Sequence, residues 1–214
     1  MARIKVLGGT GYAGGAVVRE AARRGHSVTS YSRRPPEEPV EGVDYVTASV
    51  QDRAVLAEAV QDADVVFEAL SPRGDMAGAE EGIVEELIQQ VDGTDVRLGV
   101  LGGASSLLVS EGGPRLFDVA EPPPEVLAEV QTGLTLLELL QRSPKSVDWF
   151  YLSPPARFGA WEPQVVKGQY RTSEDILLKD EAGESYISAA DLAVAVVDEI
   201  ERPRYRRQRF HVAH

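Results

Sequence analysis

The sequence contains no cysteine, which excludes disulfides, thiolate metal sites and cysteine nucleophiles. Histidine is scarce as well. His26, His211 and His214 fall in no metal-binding spacing such as H-E-x-x-H, so metal catalysis is not expected. Long apolar runs are missing: the opening MARIKVLGGTG breaks its short hydrophobic stretch at glycine and reads as neither a secretory signal peptide nor a spanning helix. The expectation is a soluble, cytoplasmic protein with no membrane partner. Positive charge is in deficit, with 22 Lys and Arg against 34 Asp and Glu and a net charge of −12. Such a field repels nucleic acid, so no nucleic-acid partner is expected. The one concentration of arginine is RPRYRRQRF (202–210), with Arg202, Arg204, Arg206, Arg207 and Arg209. Apolar FHVA follows it, which predicts a solvated helix end and a packed edge strand whose arginines answer the acidic surface.

What is present is a regular alternation. Strand-like runs IKVL (4–7), SVTSY (27–31), DYVTA (44–48), ADVVFEAL (63–70) and VRLGVL (96–101) are separated by helix-like stretches at 16–24, 52–61 and 79–91. Short strands spaced by helices of this length predict βαβ units and a parallel sheet. Asp52 is placed to cap the second helix, and Gly25 to close the first after Arg23 and Arg24. A long helix over 124–143 and a sixth strand, VDWFYLSP (147–154), extend the pattern. Residues 155–187 are irregular, rich in Pro, Gly and aromatics, with strand-like pieces QYRT and DILLKD; Ser188 then caps a last helix over 189–201. A chain of 214 residues, 43% hydrophobic, suits one domain (1–214) that buries a core unaided. The fold class expected is α/β, a doubly wound parallel sheet of the NAD(P)-binding Rossmann type, with a small C-terminal subregion on the substrate side.

Five glycines stand within GGTGYAGG (8–15), between the first strand and the first helix. Gly9, Gly11 and Gly14 satisfy G-x-G-x-x-G, and Gly8, Gly11 and Gly14 a longer spacing. Such a loop makes a tight turn, lets a pyrophosphate approach bare backbone, and packs helix on strand closely. Unpaired amides at the helix start favour the phosphates. Where the second strand ends, an NAD-selective protein carries an acid for the ribose hydroxyls; here Ser32, Arg33 and Arg34 stand instead. A guanidinium can pair with a 2′-phosphate, so NADP is expected over NAD, with NAD possible.

The motifs GGTGYAGG, ASVQD (48–52), VVFEALSPRG (65–74), LGGASSL (101–107), DWFYLSPPARF (148–158), GESYISAADLAVAVVDEIE (183–201) and QRFHVA (208–213) together resemble the atypical short-chain dehydrogenases. The resemblance is narrower to their NmrA-like, NAD(P)H-binding branch, which includes proposed NADH-flavin reductases. It implies that Thr10, Gly11, Tyr12 and Ala13 hold the pyrophosphate. The corner of Ser49, Val50 and Asp52 would border the adenine, with Ser49 standing where the branch usually has an Asp. Ala69, Leu70 and Ser71 would line the path to the nicotinamide ribose.

The resemblance also exposes an omission. Short-chain dehydrogenases usually carry Tyr-x-x-x-Lys on the helix after the fifth strand, whereas PEVLAEVQTGLTLLELLQRS (124–143) has neither residue. Alcohol–carbonyl redox by that dyad is therefore not expected. Hydride transfer to a flavin or similar flat small-molecule acceptor asks less of the protein, chiefly stacking and alignment. Ser105 is the candidate hydroxyl for orienting acceptor or nicotinamide, or else it bonds its own turn. Phe158, Trp161 and Tyr170 could wall a flat acceptor or form a small core under a loop. Arg73 and Arg157 could meet an anionic group or be surface charges, and Asp191 reads as the acid of a capping box with Ser188. The leading expectation is an NADPH-dependent reductase with a flavin-like acceptor. The rivals are a dinucleotide-binding redox sensor without turnover and a small isomerase or dehydratase.

Overall fold

Residues Trp149–Ser153 send alternate side chains to opposite faces: Phe150 and Leu152 enter one apolar core, Trp149 and Tyr151 another. Residues Val65–Glu68 do the same, with Val65 and Phe67 on the first side and Val66 on the second. Strands buried on both faces are what a parallel sheet covered by helices requires. The computed structural model describes residues 1–214. Along the chain run β1 (Arg3–Leu7), α1 (Tyr12–Arg23), β2 (Ser27–Ser32), β3 (Val43–Thr47), α2 (Arg53–Val60), β4 (Val65–Glu68), α3 (Glu80–Val91), β5 (Arg97–Leu101), α4 (Leu116–Val119), α5 (Leu127–Arg142), β6 (Trp149–Ser153), β7 (Arg171–Ser173), α6 (Ala189–Glu201) and β8 (Gln208–Ala213).

The eight strands form one sheet in the order β3-β2-β1-β4-β5-β6-β8-β7, parallel throughout except for the antiparallel β7. Helices α1 and α6 pack together over one core, and α2, α3 and α5 over the other. The winding reverses between β1 and β4, so the crevice beyond their carboxyl ends is the expected ligand position of a doubly wound sheet. Gly99 on β5 leaves room for Phe67 and Phe150, whose rings stack 6.0 Å apart; a Cβ there would collide with both.

The expected caps form. Asp52 accepts a hydrogen bond from the Ala54 N–H at 2.9 Å, and Gly25 takes a φ of +80° at the end of α1. Three expectations are corrected. Helix α1 begins at Tyr12 rather than at residue 16, because the bare Cα of Gly14 lets its first turn lie against Gly8. DILLKD forms no strand; Ile176 makes only an isolated bridge to Leu108. Strand β8 is not an edge, since β7 pairs along its outer side. The tail arginines do answer acids, Arg206 on Asp148 and Arg209 on Asp175, but Arg207 instead donates to the carbonyls of Ser143, Pro144 and Val147. No helix is long and apolar enough to cross a membrane.

Asp191 does more than cap. The Ser188 hydroxyl oxygen accepts from the Asp191 N–H at 3.1 Å, as expected of an N-cap. The Asp191 carboxylate turns outward from the helix and accepts from the Lys167 and Gly168 N–H groups at 2.8 and 2.9 Å, and it meets His214 Nε2 at 2.7 Å. The irregular segment 155–187 is thereby tied to α6. Burial acts to raise the Asp191 pKa, but the donors from Lys167, His214, Ser188 and Gly168 outweigh it and hold the carboxyl below its usual range.

Candidate active site

The glycine loop is shaped by contacts that only glycine permits. Gly8 has a φ of +82°, and a Cβ there would lie 2.6 Å from the Ala69 carbonyl oxygen. A Cβ on Gly14 would collide with the Gly8 carbonyl, so α1 can start this close to the end of β1 only without side chains. Gly11 is the N-cap of α1 and offers no capping side chain. The first amides of a helix have no partner within it, so those of Tyr12 and Ala13 remain for a ligand. With the positive helix pole behind them, they form a cradle for phosphate oxygens.

The cradle opens into a cavity of about 880 Å³ along the carboxyl ends of the strands. That size is within the usual range for a small-molecule or cofactor site. Most residues read from the sequence line it: Gly8, Thr10, Gly11, Tyr12, Ala13, Arg33, Arg34, Val50, Ala69, Leu70, Ser71 and Ser105. Two do not. Gly14 lies behind the loop as the packing contact just described, and Asp52 spends its carboxylate on capping α2. Ser49 likewise bonds locally, its hydroxyl accepting from the Gln51 N–H at 3.3 Å.

At the end of the cavity beside β2, Arg33 is ion-paired with Asp75, from the turn between β4 and α3. Both side chains are more than half exposed or close to it, so the pair is weak in water. At the opposite end, Tyr12 and Phe158 pack with ring centroids 5.1 Å apart, and Trp161, 69% exposed, stands at the mouth with Arg73 5.5 Å over its ring. Tyr170 does not join this wall: its hydroxyl donates to Asp198 at 2.5 Å, on α6. Nor is Arg157 available to an anionic ligand, being paired with Glu162 and Glu184 at 2.7 Å each. Arg73 is held by Glu129 at 2.7 Å. The backbone carbonyl of Ser105 accepts from the Phe117 N–H at 3.0 Å, fixing its turn while the residue lines the cavity.

Three groups near the cavity floor were not singled out from the sequence. Tyr151, fully buried on β6, donates its hydroxyl to the Gly133 carbonyl at 2.8 Å and accepts from the Gly103 N–H at 3.0 Å. Burial pushes its pKa up. Glu68, at the end of β4, is also fully buried; one oxygen accepts from the Leu70 N–H at 2.6 Å and the other has no partner. Burial and the neighbouring Glu80 raise its pKa well above the ordinary glutamate range. Glu80, the first residue of α3, is 2% exposed and lines the cavity. Glu68 could have been flagged, because it is the acid in the middle of an otherwise apolar run, VVFEAL (65–70). Glu80 could not, since an acid in a first helical turn is ordinary.

A doubly wound sheet, a side-chain-free cradle at the first helix and a long crevice at the switch point define a dinucleotide-binding Rossmann protein. The family described as NAD(P)H-binding matches residues 8–203. The chain thus belongs to that NAD(P)H-binding family, within the atypical, NmrA-like short-chain dehydrogenases that its motifs resemble. Its nicotinamide dinucleotide cofactor follows from the membership. The uncharacterised YwnB of Bacillus subtilis is 35% identical over 215 residues, covering 98% of this chain and 97% of that protein. A proposed NADH-flavin reductase from Streptococcus pneumoniae has a crystal structure that is 27% identical, covers 100% of both chains and superposes with a TM-score of 0.89. A proposed epimerase from Bacteroides thetaiotaomicron is 32% identical over 100% of this chain and 98% of its own, with a TM-score of 0.86. Family and neighbours together support an NAD(P)H-dependent oxidoreductase.

Proposed function

We propose that the protein is a reductase that carries electrons from NADPH to a flavin or a similar flat acceptor. The observation that carries this reading is the continuity of the cavity, which runs from the bare amides of Tyr12 and Ala13 to Ser105, Tyr151 and Trp161. Bound there, the dinucleotide supplies hydride, and the chain supplies alignment and a partly dry pocket. The amides at the start of α1 hold the pyrophosphate. Val50 lies against the adenine, and Ala69, Leu70 and Ser71 border the nicotinamide ribose. Ser105 orients the acceptor or the nicotinamide amide, while Phe158 and Trp161 face the flat acceptor. The absent Tyr-x-x-x-Lys dyad is consistent with an acceptor that is not an alcohol or simple carbonyl. The NADH-flavin reductase description of the Streptococcus neighbour agrees with this reading.

NADPH is favoured over NADH because Arg33 and Arg34 line the cavity where β2 ends. A dianionic 2′-phosphate draws Arg33 from its exposed pair with Asp75 more strongly than ribose hydroxyls can. The test is absorbance at the nicotinamide band with NADPH and FMN, FAD or riboflavin; oxidation with at least one flavin is expected. Tight binding with no turnover for any acceptor would instead favour the sensor. Arg33→Ala should lower NADPH affinity about tenfold, or ~1.4 kcal/mol, and leave NADH nearly unchanged. An unchanged NADPH-to-NADH ratio would remove Arg33 from the reading.

A further inference from the structure

The floor of the cavity holds carboxyl groups that the dinucleotide cradle does not use. Glu80 lines the cavity beside Gly133, Leu136 and Tyr151, is almost completely buried, and has an Oε2 with no hydrogen-bond partner. An acid in the first turn of a helix ordinarily lies in water, where it serves the helix dipole. Glu81, the next residue, accepts from the Thr132 hydroxyl at 2.6 Å and so has a partner across to α5. Glu80 makes no such hydrogen bond and no salt bridge; a buried carboxyl in that state is held in place at a cost in stability.

We propose that Glu80 is the proton donor to the acceptor, an inference that rests on the reductase reading above. Hydride transfer alone leaves a flavin as its reduced anion, and reaching the neutral dihydroflavin takes a proton at a second nitrogen. Tyr151 cannot give one readily, because its hydroxyl is engaged on both sides by Gly133 and Gly103. Glu68 lies behind the cavity lining, with one oxygen on the Leu70 N–H. Of the two acids that line the space, Glu129 is paired with Arg73, which leaves Glu80 as the one without a cation. Its O–H bond breaks as the acceptor gains the hydrogen and electron pair released when the dihydronicotinamide C4–H bond breaks. The proton forms an N–H bond on the flavin, and the Glu80 carboxylate takes a proton from water at the mouth.

The groups around Glu80 all favour its protonated form. The charged ones are Glu81 on its own helix and Glu129 on α5, and Glu129 also holds Arg73 on its own carboxylate; Glu68 on β4 and Tyr151 on β6 lie close by and carry no positive charge. Burial first, then Glu81 and Glu129, push the Glu80 carboxyl up to about 7.

The experiment compares wild type, Glu80→Gln and Glu80→Asp in three measurements: kcat with NADPH and FMN across pH, NADPH affinity by calorimetry, and melting temperature across pH without ligand. Wild-type kcat should fall as pH rises through about 7. Glu80→Gln should lose on the order of a hundredfold in kcat and lack that limb, with NADPH affinity kept. Glu80→Asp should retain the limb at an intermediate rate. Without ligand, the melting temperature of wild type should drop relative to Glu80→Gln between about pH 4.5 and 7, where the unfolded carboxyl ionises while the native one still holds its proton, and level off above that. A Glu80→Gln protein with wild-type kcat and pH profile overturns the inference and leaves the reductase reading intact, as does a variant that no longer binds NADPH. Wild type that binds NADPH but reduces no flavin removes both.

Discussion

At the amino ends of the strands, Glu199 is buried against a cation; at the carboxyl ends, Glu68 and Glu80 are buried without one. Glu199, 3% exposed, takes a 2.6 Å contact from Arg97 on β5 and hydrogen bonds from the Arg204 and Tyr205 N–H groups. Arg97 in turn donates to the carbonyls of Glu199 and Tyr205 at 2.9 Å and lies 4.6 Å over the Phe150 ring. The charges at that end have opposite charges beside them, although Arg97 Nε and Asp148 Oδ1, 3.6 Å apart, make no hydrogen bond. At the other end a helix starts without a capping side chain, and three carboxyls, those of Glu68, Glu80 and Glu81, keep an unmatched oxygen. A fold can tolerate a few unmatched polar groups, and those it retains tend to collect where a ligand or a proton is handled. The difference separates the end of the sheet where buried charges are paired from the end that opens into the cavity.

Breaking the matched end should produce the largest effect. Arg97→Ala leaves Glu199 buried without its cation and should cost about 3–5 kcal/mol in urea unfolding. A loss near zero would mean that the backbone amides alone satisfy Glu199. The unmatched end should respond with the opposite sign. Burial raises the folded-state pKa of Glu80, so the stability tied to its proton is full below about pH 4.5 and is lost as pH rises through about 7. Glu80→Gln should therefore be more stable than wild type at pH 8, by on the order of 2 kcal/mol, and the advantage should vanish at pH 4. Equal stabilities at pH 8 would erase the contrast between the two ends. The smallest effect belongs to the cradle. Gly14→Ala places a methyl against the Gly8 carbonyl and should weaken NADPH binding about tenfold, ~1.4 kcal/mol, by calorimetry. Undiminished affinity would show that the loop can open at no cost.

Much of the fold was legible because local signals and global pattern agree. Apolar runs bounded by Gly25, Asp52 and Ser188 marked strands and helices well, since each cap acts within its own turn. The glycine loop was legible for the same reason, its sequence spacing being its geometry. Long-range pairings were less accessible. DILLKD has strand composition, yet what decides its state is whether a neighbouring strand is free, and β7 already occupies the edge beside β8. The start of α1 was misplaced because glycine has low helix propensity, and the close packing that overrides it is a tertiary effect. In the site, Arg33 and Ser105 could be read from their positions after strands. Asp75, the partner of Arg33, could not, since forty-odd residues separate them and nothing local links the two. Tyr170 was aromatic in the right segment but turned toward Asp198, an orientation that only packing decides.

The two tryptophans stand in opposite surroundings: Trp149 is buried in β6, and Trp161 is in water at the rim of the crevice with Arg73 above its ring. Their fluorescence is therefore separable, a blue-shifted emission from the apolar interior and a red-shifted one from the wet indole. Any ligand that seats against Trp161 dims the second colour and spares the first. The molecule thus carries its own optical gauge of occupancy, usable without a label and independent of whether the captured compound reacts.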